Sequence, residues 1–190
     1  MSDAAQRDRF LELYRELDAM PDEVHAEIVA GEIVVLPRPR PSHVRVASRL
    51  GSRLETPFGF DSDGPGGWVI LDEPEIRFAS DLRVPDLAGW RVERYEEPDD
   101  PPYVVSPDWI CEVLSPSTAR TDRSEKLPLY ARHGVAHVWL VDPAAETLEV
   151  YRRQGELWLL VGAHAGQAKV FAEPFDAIEL DLGALWRTPG

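Results

Sequence analysis

The segment from Asp108 to Asp142, DWICEVLSPSTARTDRSEKLPLYARHGVAHVWLVD, constrains this chain more than any other. Residues 109–114 form an apolar run of strand length with one carboxylate, Glu112, in its middle. A polar turn follows, then a helical pattern over about 121–132 that closes at His133-Gly134, and at once a second apolar run, 136–141. Two apolar strands separated by one helix predict a parallel pair with its crossover, because parallel strands need a dozen or more residues to return to the same end of a sheet. An unpaired charge inside a buried strand is too costly to keep. Glu112 therefore needs a cationic partner, a metal or a proton, or else its strand lies at an edge.

The flanks predict the rest of an α/β (α+β) chain. Residues 2–18 read as a helix with Phe10, Leu11, Leu13, Tyr14 and Leu17 mainly on one face, ended by Met20-Pro21. Residues 25–36, HAEIVAGEIVVL, read as two short strands around a tight turn at Ala30-Gly31, with Glu27 and Glu32 beside it. The proline-punctuated connector PRPRP (37–41) cannot be helical inside and runs extended. Ser42 is placed to cap a helix over 43–55 with an apolar stripe of Val44, Ala47, Leu50, Gly51 and Leu54.

The DSDG of loop 58–67 resembles the start of a calcium loop, but the chain lacks the bidentate glutamate at the twelfth position. Residues 68–71, 75–79 and 82–90 read as three strands. The last contains Pro85-Asp86, and a proline there implies an edge, a bulge or a break, with Asp86 held at an irregular point of the sheet. Residues 91–107 read as a solvated, mobile loop. After the central unit, 147–152 and 157–162 predict a hairpin, 170–171 and 177–180 closing strands, and 182–186 a last helical turn. With no repeat and no linker, the expectation is one domain over 1–190, an N-terminal helix within 1–20 and a core over about 24–182.

Composition removes several function classes. The net charge of −14 argues against indiscriminate adhesion to nucleic acid, which needs Lys and Arg to neutralise phosphates. The charge is uneven: residues 33–54 hold five arginines and no acid, whereas 61–100 hold twelve acids against four arginines. Arg45, Arg49 and Arg53 of the second helix either coat a solvated face or touch phosphates. The lone cysteine, Cys111, excludes an internal disulfide and a cysteine zinc site. No run approaches the ~18 apolar residues of a membrane span and the N-terminus has no signal-peptide core, so a cytoplasmic protein away from membranes is the default expectation. Of twenty basic residues only Lys126 and Lys169 are lysine, so a lysine hints at a place where a compact ammonium is needed.

Asp86, Glu112 and Lys126 are the residues that could carry chemistry together. Two carboxylates on neighbouring strands can hold one hard divalent cation through oxygen. Such a cation lowers the pKa of a bound water and neutralises phosphoryl charge, and an ammonium beside it stabilises the charge that develops. Acid, acid and lysine are what metal-assisted phosphodiester hydrolysis requires. A Ser115, His133 or His137, Asp142 triad lacks the G-x-S-x-G elbow of a serine hydrolase. Cys111 faces away from Glu112 by strand alternation.

Pro85-Asp86, EVLSPST at 112–118, Asp122, Lys126 and YARHGVAHVWLVDP at 130–143 together resemble the Uma2 family (DUF820) of the PD-(D/E)XK nuclease superfamily, as does EIVAGEIVVLPRPRPSH at 27–43. The resemblance covers about 26–180. It implies a restriction-endonuclease-like core, a mixed β-sheet flanked by helices. It also implies Asp86 and Glu112 as ligands of Mg²⁺ or Mn²⁺ with the backbone carbonyl of Val113, Lys126 as the catalytic lysine, and DNA as the substrate. The chain departs from the superfamily's E-x-K spacing, which would put a lysine where Leu114 stands; Lys126 lies instead on the following helix. Glu27, Glu32, His43 and Asp122 are candidates for an outer shell. The rival expectation is a catalytically inactive nuclease-fold binding or assembly module, favoured by the negative charge, and a homodimer could gather the arginines into one groove.

Overall fold

The computed structural model describes residues 3–21, 23–59 and 61–188. The central unit forms as its pattern requires: β7 (Trp109–Val113) and β8 (His137–Asp142) are parallel neighbours, with Glu112 opposite Leu140. Around them β3 (Trp68–Asp72), β6 (Leu87–Arg91), β9 (Thr147–Gln154) and β10 (Leu157–Ala165) add antiparallel, giving a mixed six-stranded sheet of order β10-β9-β8-β7-β6-β3. The strand of Glu112 is therefore interior, and the edge explanation for that carboxylate falls.

The stretch 82–90 is two strands rather than one. Strand β5 (Asp81–Arg83) pairs with β4 (Ile76–Phe78) and with β1 (Ala26–Val29), which pairs with β2 (Glu32–Val35), in a four-stranded sheet of order β2-β1-β5-β4. Strand β6 belongs to the six-stranded sheet. Val84-Pro85-Asp86 is the step between them. Proline brings no N–H to either ladder, so the chain changes sheets there and Asp86 is delivered at the junction. The β1–β2 turn has Ala30 at φ 51° and Gly31 at φ 84°, the left-handed pair of a two-residue hairpin whose twist matches its strands.

Strand alternation divides the core. Trp109, Cys111 and Val113 of β7 face one side, with Trp139 and Val141 of β8, under helix α2 (Pro41–Phe58) and the C-terminal residues. There Phe175 packs edge-on or tilted against Phe58, Trp68, Trp109 and Trp139, at ring separations of 4.8 to 5.6 Å. Ile110, Val138 and Leu140 face the other side, under β4 and the crossover helix. Glu112 shares that second side by the same alternation. A third cluster, Phe10, Leu13, Ile28 and Leu82, seats helix α1 (Asp3–Asp18) on the small sheet.

The second helix starts at Pro41, whose fixed φ suits the first helical position, and Ser42 makes no capping bond. Its buried ridge is Val46, Leu50, Leu54 and Phe58, a row at four-residue spacing, which leaves Val44 48% exposed. The crossover helix is α3 (Ala119–Thr121), a π turn (Asp122–Lys126) and α4 (Leu127–Arg132) in continuous succession. Loop 91–107 is tied at both ends. Tyr95 and Tyr103 pack on Trp90, whose indole N–H donates to the Val105 carbonyl at 2.8 Å, and Tyr103 pairs with the backbone around β4. Strands β11 (Lys169–Val170) and β12 (Leu180–Asp181) and helix α5 (Gly183–Trp186) close the chain against α2. Among the described residues no helix is long and apolar enough to cross a membrane.

Candidate active site

Glu112 is buried to 3% and both its oxygens are used. Oε2 lies 3.0 Å from the Lys126 ammonium, and Oε1 accepts the Tyr130 hydroxyl at 2.5 Å. Lys126 and Tyr130 are four residues apart, where the π turn passes into α4, so both reach down onto the same strand. Lys126 is 6% exposed and also lies 3.5 Å from Glu27 and 3.5 Å from Asp122.

Glu27, from β1 of the small sheet, accepts the Val84 N–H at 3.0 Å and the Arg83 guanidinium at 3.1 Å. It fixes the sheet-changing step from behind while Asp86 projects in front. One Asp86 oxygen accepts the Val113 N–H at 2.6 Å and the other lies 3.1 Å from His43 Nε2 at the start of α2. His43 also bonds to the main chain of Val113. Three carboxylates (Glu27, Glu112, Asp122) and two cations (Arg83, Lys126) are thus buried together, leaving one negative charge in excess.

Burial dominates the titration of the carboxylates. Burial, with the neighbouring charges of Asp122 and Asp86, pushes Glu112 up to about 8 although Lys126 and Tyr130 oppose the shift. Burial likewise raises Asp122, whose Oδ1 has no hydrogen-bond partner. Burial works against the Lys126 ammonium, but Glu112, Glu27 and Asp122 outweigh it and its pKa rises. Burial also opposes charge on His43, and Asp86 outweighs it, so that pKa rises too.

These groups form the floor of a cleft of about 420 Å³. The connector 36–40, the end of α1 and the turn bearing Ser115, Ser117 and Thr118 supply its walls. Among the described residues no three His, Cys, Asp or Glu side chains converge as a ready-made metal cage.

A family model described as "Uma2: Putative restriction endonuclease" matches residues 8–183. The chain belongs to the Uma2 family. The chain is also similar to a crystal structure from Anabaena variabilis described as "a putative nuclease belonging to DUF820", with a TM-score of 0.70 and 22% identity over 92% of this chain and 96% of that one. That likeness shows a shared fold. No curated protein matches the chain.

In this Uma2 chain the structure brings Asp86, Glu112, Val113, Asp122, Lys126 and His43 to one cleft, with Glu27 buried against Lys126 behind it. Glu32 stands apart, exposed on β2 and outside the cleft lining. The helix arginines are also elsewhere. Arg49 donates to the carbonyls of Ala184 at 3.1 Å and Leu185 at 3.2 Å and to that of Arg187, capping α5, and neither Arg45 nor Arg53 lines the cleft. The arginines that do line it are Arg38 and Arg40 of the connector. Sequence reasoning also passed over Tyr130 and Arg83. The four-residue step from Lys126 signals Tyr130, and no local pattern signals Arg83.

Proposed function

We propose that this Uma2 protein is a divalent-metal-dependent endonuclease that hydrolyses DNA phosphodiester bonds in this cleft. The observation that carries the reading is the convergence of Asp86, Glu112 and Lys126 from three separate elements onto one buried floor.

The donor set fits a hard cation. Asp86, Glu112 and the Val113 carbonyl offer oxygen only, and water and a substrate phosphate would complete the sparse protein coordination that Mg²⁺ or Mn²⁺ accepts. Asp122, which shares the Lys126 ammonium with Glu112 and Glu27, adds a further buried oxygen donor beside them in the cleft. Bound there, the ion would lower the pKa of a coordinated water and neutralise charge on a phosphoryl oxygen.

The chain's own residues do the remaining work. Three carboxylates keep Lys126 charged, and its ammonium can stabilise negative charge developing on the phosphoryl group, with greater effect in a water-poor cleft. Tyr130 fixes the orientation of Glu112 through Oε1. The Val113 N–H and His43 together fix both oxygens of Asp86.

Calorimetric titration of Mn²⁺ into the wild type and Glu112→Gln, with plasmid nicking assayed on the same samples, tests the reading. Binding and metal-dependent nicking by the wild type alone are expected. Unchanged nicking by Asp86→Ala would refute the site assignment. Failure of both proteins to bind Mn²⁺ would favour the other reading, a nuclease-fold binding module whose carboxylates only support the fold; the chain's net charge of −14 gives that reading its weight.

A further inference from the structure

Five carboxylates line the cleft, Glu73, Glu75, Asp86, Glu112 and Asp122, and Lys126 is already engaged by acids. The cations left for a polyanion are Arg38 and Arg40. Both are exposed, and neither guanidinium has an ion-pair or hydrogen-bond partner among the described residues. Each precedes a proline, which pushes its backbone to the extended region, and Arg40 sits there at φ −76°, ψ 155°. Two residues of such chain span about 6 Å. Pro37, Pro39 and Pro41 hold that spacing before any ligand arrives, so little order has to be gained on binding.

Resting on the hydrolytic reading above, we infer that the cleft takes an unpaired nucleic-acid strand, as a single-stranded stretch, a frayed end or a flap, and that Arg38 and Arg40 hold two successive phosphates next to the reacting one. Three observations exclude the interior of a duplex. Duplex binding draws on many phosphate contacts, about 6–10 in strong cases, and here Arg49 is tied to α5 while Arg45 and Arg53 lie off the cleft. The reacting groups are buried, Glu112 to 3% and Lys126 to 6%, so the phosphate must enter the cleft. The wall beside the arginines is apolar, with Leu17, Val24, Leu36 and Pro37, and it can take up sugar and base faces that a duplex keeps stacked.

The test uses labelled oligonucleotides: a single strand, its blunt duplex, and that duplex with an unpaired 3′ tail. Anisotropy is read without divalent metal across a salt series, and cleavage is then followed in Mn²⁺. The single strand and the tailed duplex are expected to bind at least about tenfold more tightly than the blunt duplex. Removing both phosphate contacts in Arg38→Ala/Arg40→Ala lowers the slope of log K against log salt by about 1.4, while Arg38→Lys/Arg40→Lys keeps most of it. Equal or tighter binding of the blunt duplex, or an unchanged salt slope in the alanine variant, overturns the inference. Strand-selective binding with no cleavage in Mn²⁺ would keep this inference and remove the hydrolytic reading. Metal-dependent cleavage of blunt duplex as fast as of single strand would do the reverse.

Discussion

Lys126 Nζ lies 3.0 Å from Glu112 Oε2, with both groups buried and the lysine on the helix that follows the glutamate's strand. An E-x-K spacing would put the lysine at position 114, directly after β7. Here the crossover helix folds back over β7 and returns an ammonium to the carboxylate from above. Lys126 also serves Glu27 and Asp122, so it balances a cluster as well as facing the cleft. Removing it as Lys126→Met leaves three buried carboxylates facing one another. The expected cost is about 3–5 kcal/mol in urea denaturation, as for any buried ion pair broken from one side. The double variant Lys126→Met/Glu112→Gln should lose less than the sum of the two single variants, because it removes a charge from each side.

Stability should fall as pH rises from about 5 to about 8, and Glu112 should be the main cause. Its pKa is pushed from 4.5 in the unfolded chain up to about 8 in the folded one. The folded state therefore binds a proton that the unfolded state has released. The resulting stability is fully present below about pH 4.5 and is lost as pH rises through about 8. Asp122 is raised and acts in the same direction. Lys126 is raised from 10.5, so its contribution is lost only at higher pH, outside this window. His43 is raised from 6.5 and also contributes a decline, but it is present in both proteins compared. Denaturation midpoints across this range should slope less steeply for Glu112→Gln than for the wild type, and equal slopes would remove Glu112 as the titrating group.

Arg49 is a structural arginine. Its guanidinium collects the last carbonyls of α5, so Arg49→Ala should cost about 1–3 kcal/mol through lost charge-assisted hydrogen bonds. Strand affinity measured by anisotropy should not change, in contrast to the Arg38/Arg40 variant. A fall in affinity without a fall in stability would return this helix to the nucleic-acid surface.

Much of this architecture is legible because the sequence signals are local. The parallel pair follows from two apolar runs with a helix between them, and Asp86 is marked by a proline that no central strand tolerates. What is not legible is which sheet a strand joins. Pro85 signals a break, but only tertiary pairing sends β5 to the small sheet and β6 to the large one. The partners of Glu27 are hidden for the same reason, since Arg83 and Lys126 come from distant parts of the chain. The arginines fail differently. Arg45, Arg49 and Arg53 look like a basic face because helical spacing gathers them, whereas Arg38 and Arg40 sit in a connector with no periodicity. Which arginines face the cleft is decided by how α2 docks on the sheet through Val46, Leu50 and Leu54, and charge counting does not contain that information.

Glu27 gives the sharpest test of how the small sheet supports the site. Three donors converge on it: the Val84 N–H at 3.0 Å, Arg83 at 3.1 Å and Lys126 at 3.5 Å. A carboxylate accepts all three, whereas the amide of Glu27→Gln has one acceptor oxygen and must turn its NH₂ toward a donor. The variant should lose roughly 3 kcal/mol in denaturation, close to the cost of stranding a buried cation. The loss should be local as well as global, because Glu27 accepts the Val84 N–H at the start of the step to Asp86. Amide exchange at Val84 should therefore accelerate more than at Ile110 in the centre of β7, and Mn²⁺ affinity should fall as Asp86 loses its fixed position. If Val84 exchange is unchanged while overall stability drops, Glu27 supports the fold without positioning Asp86.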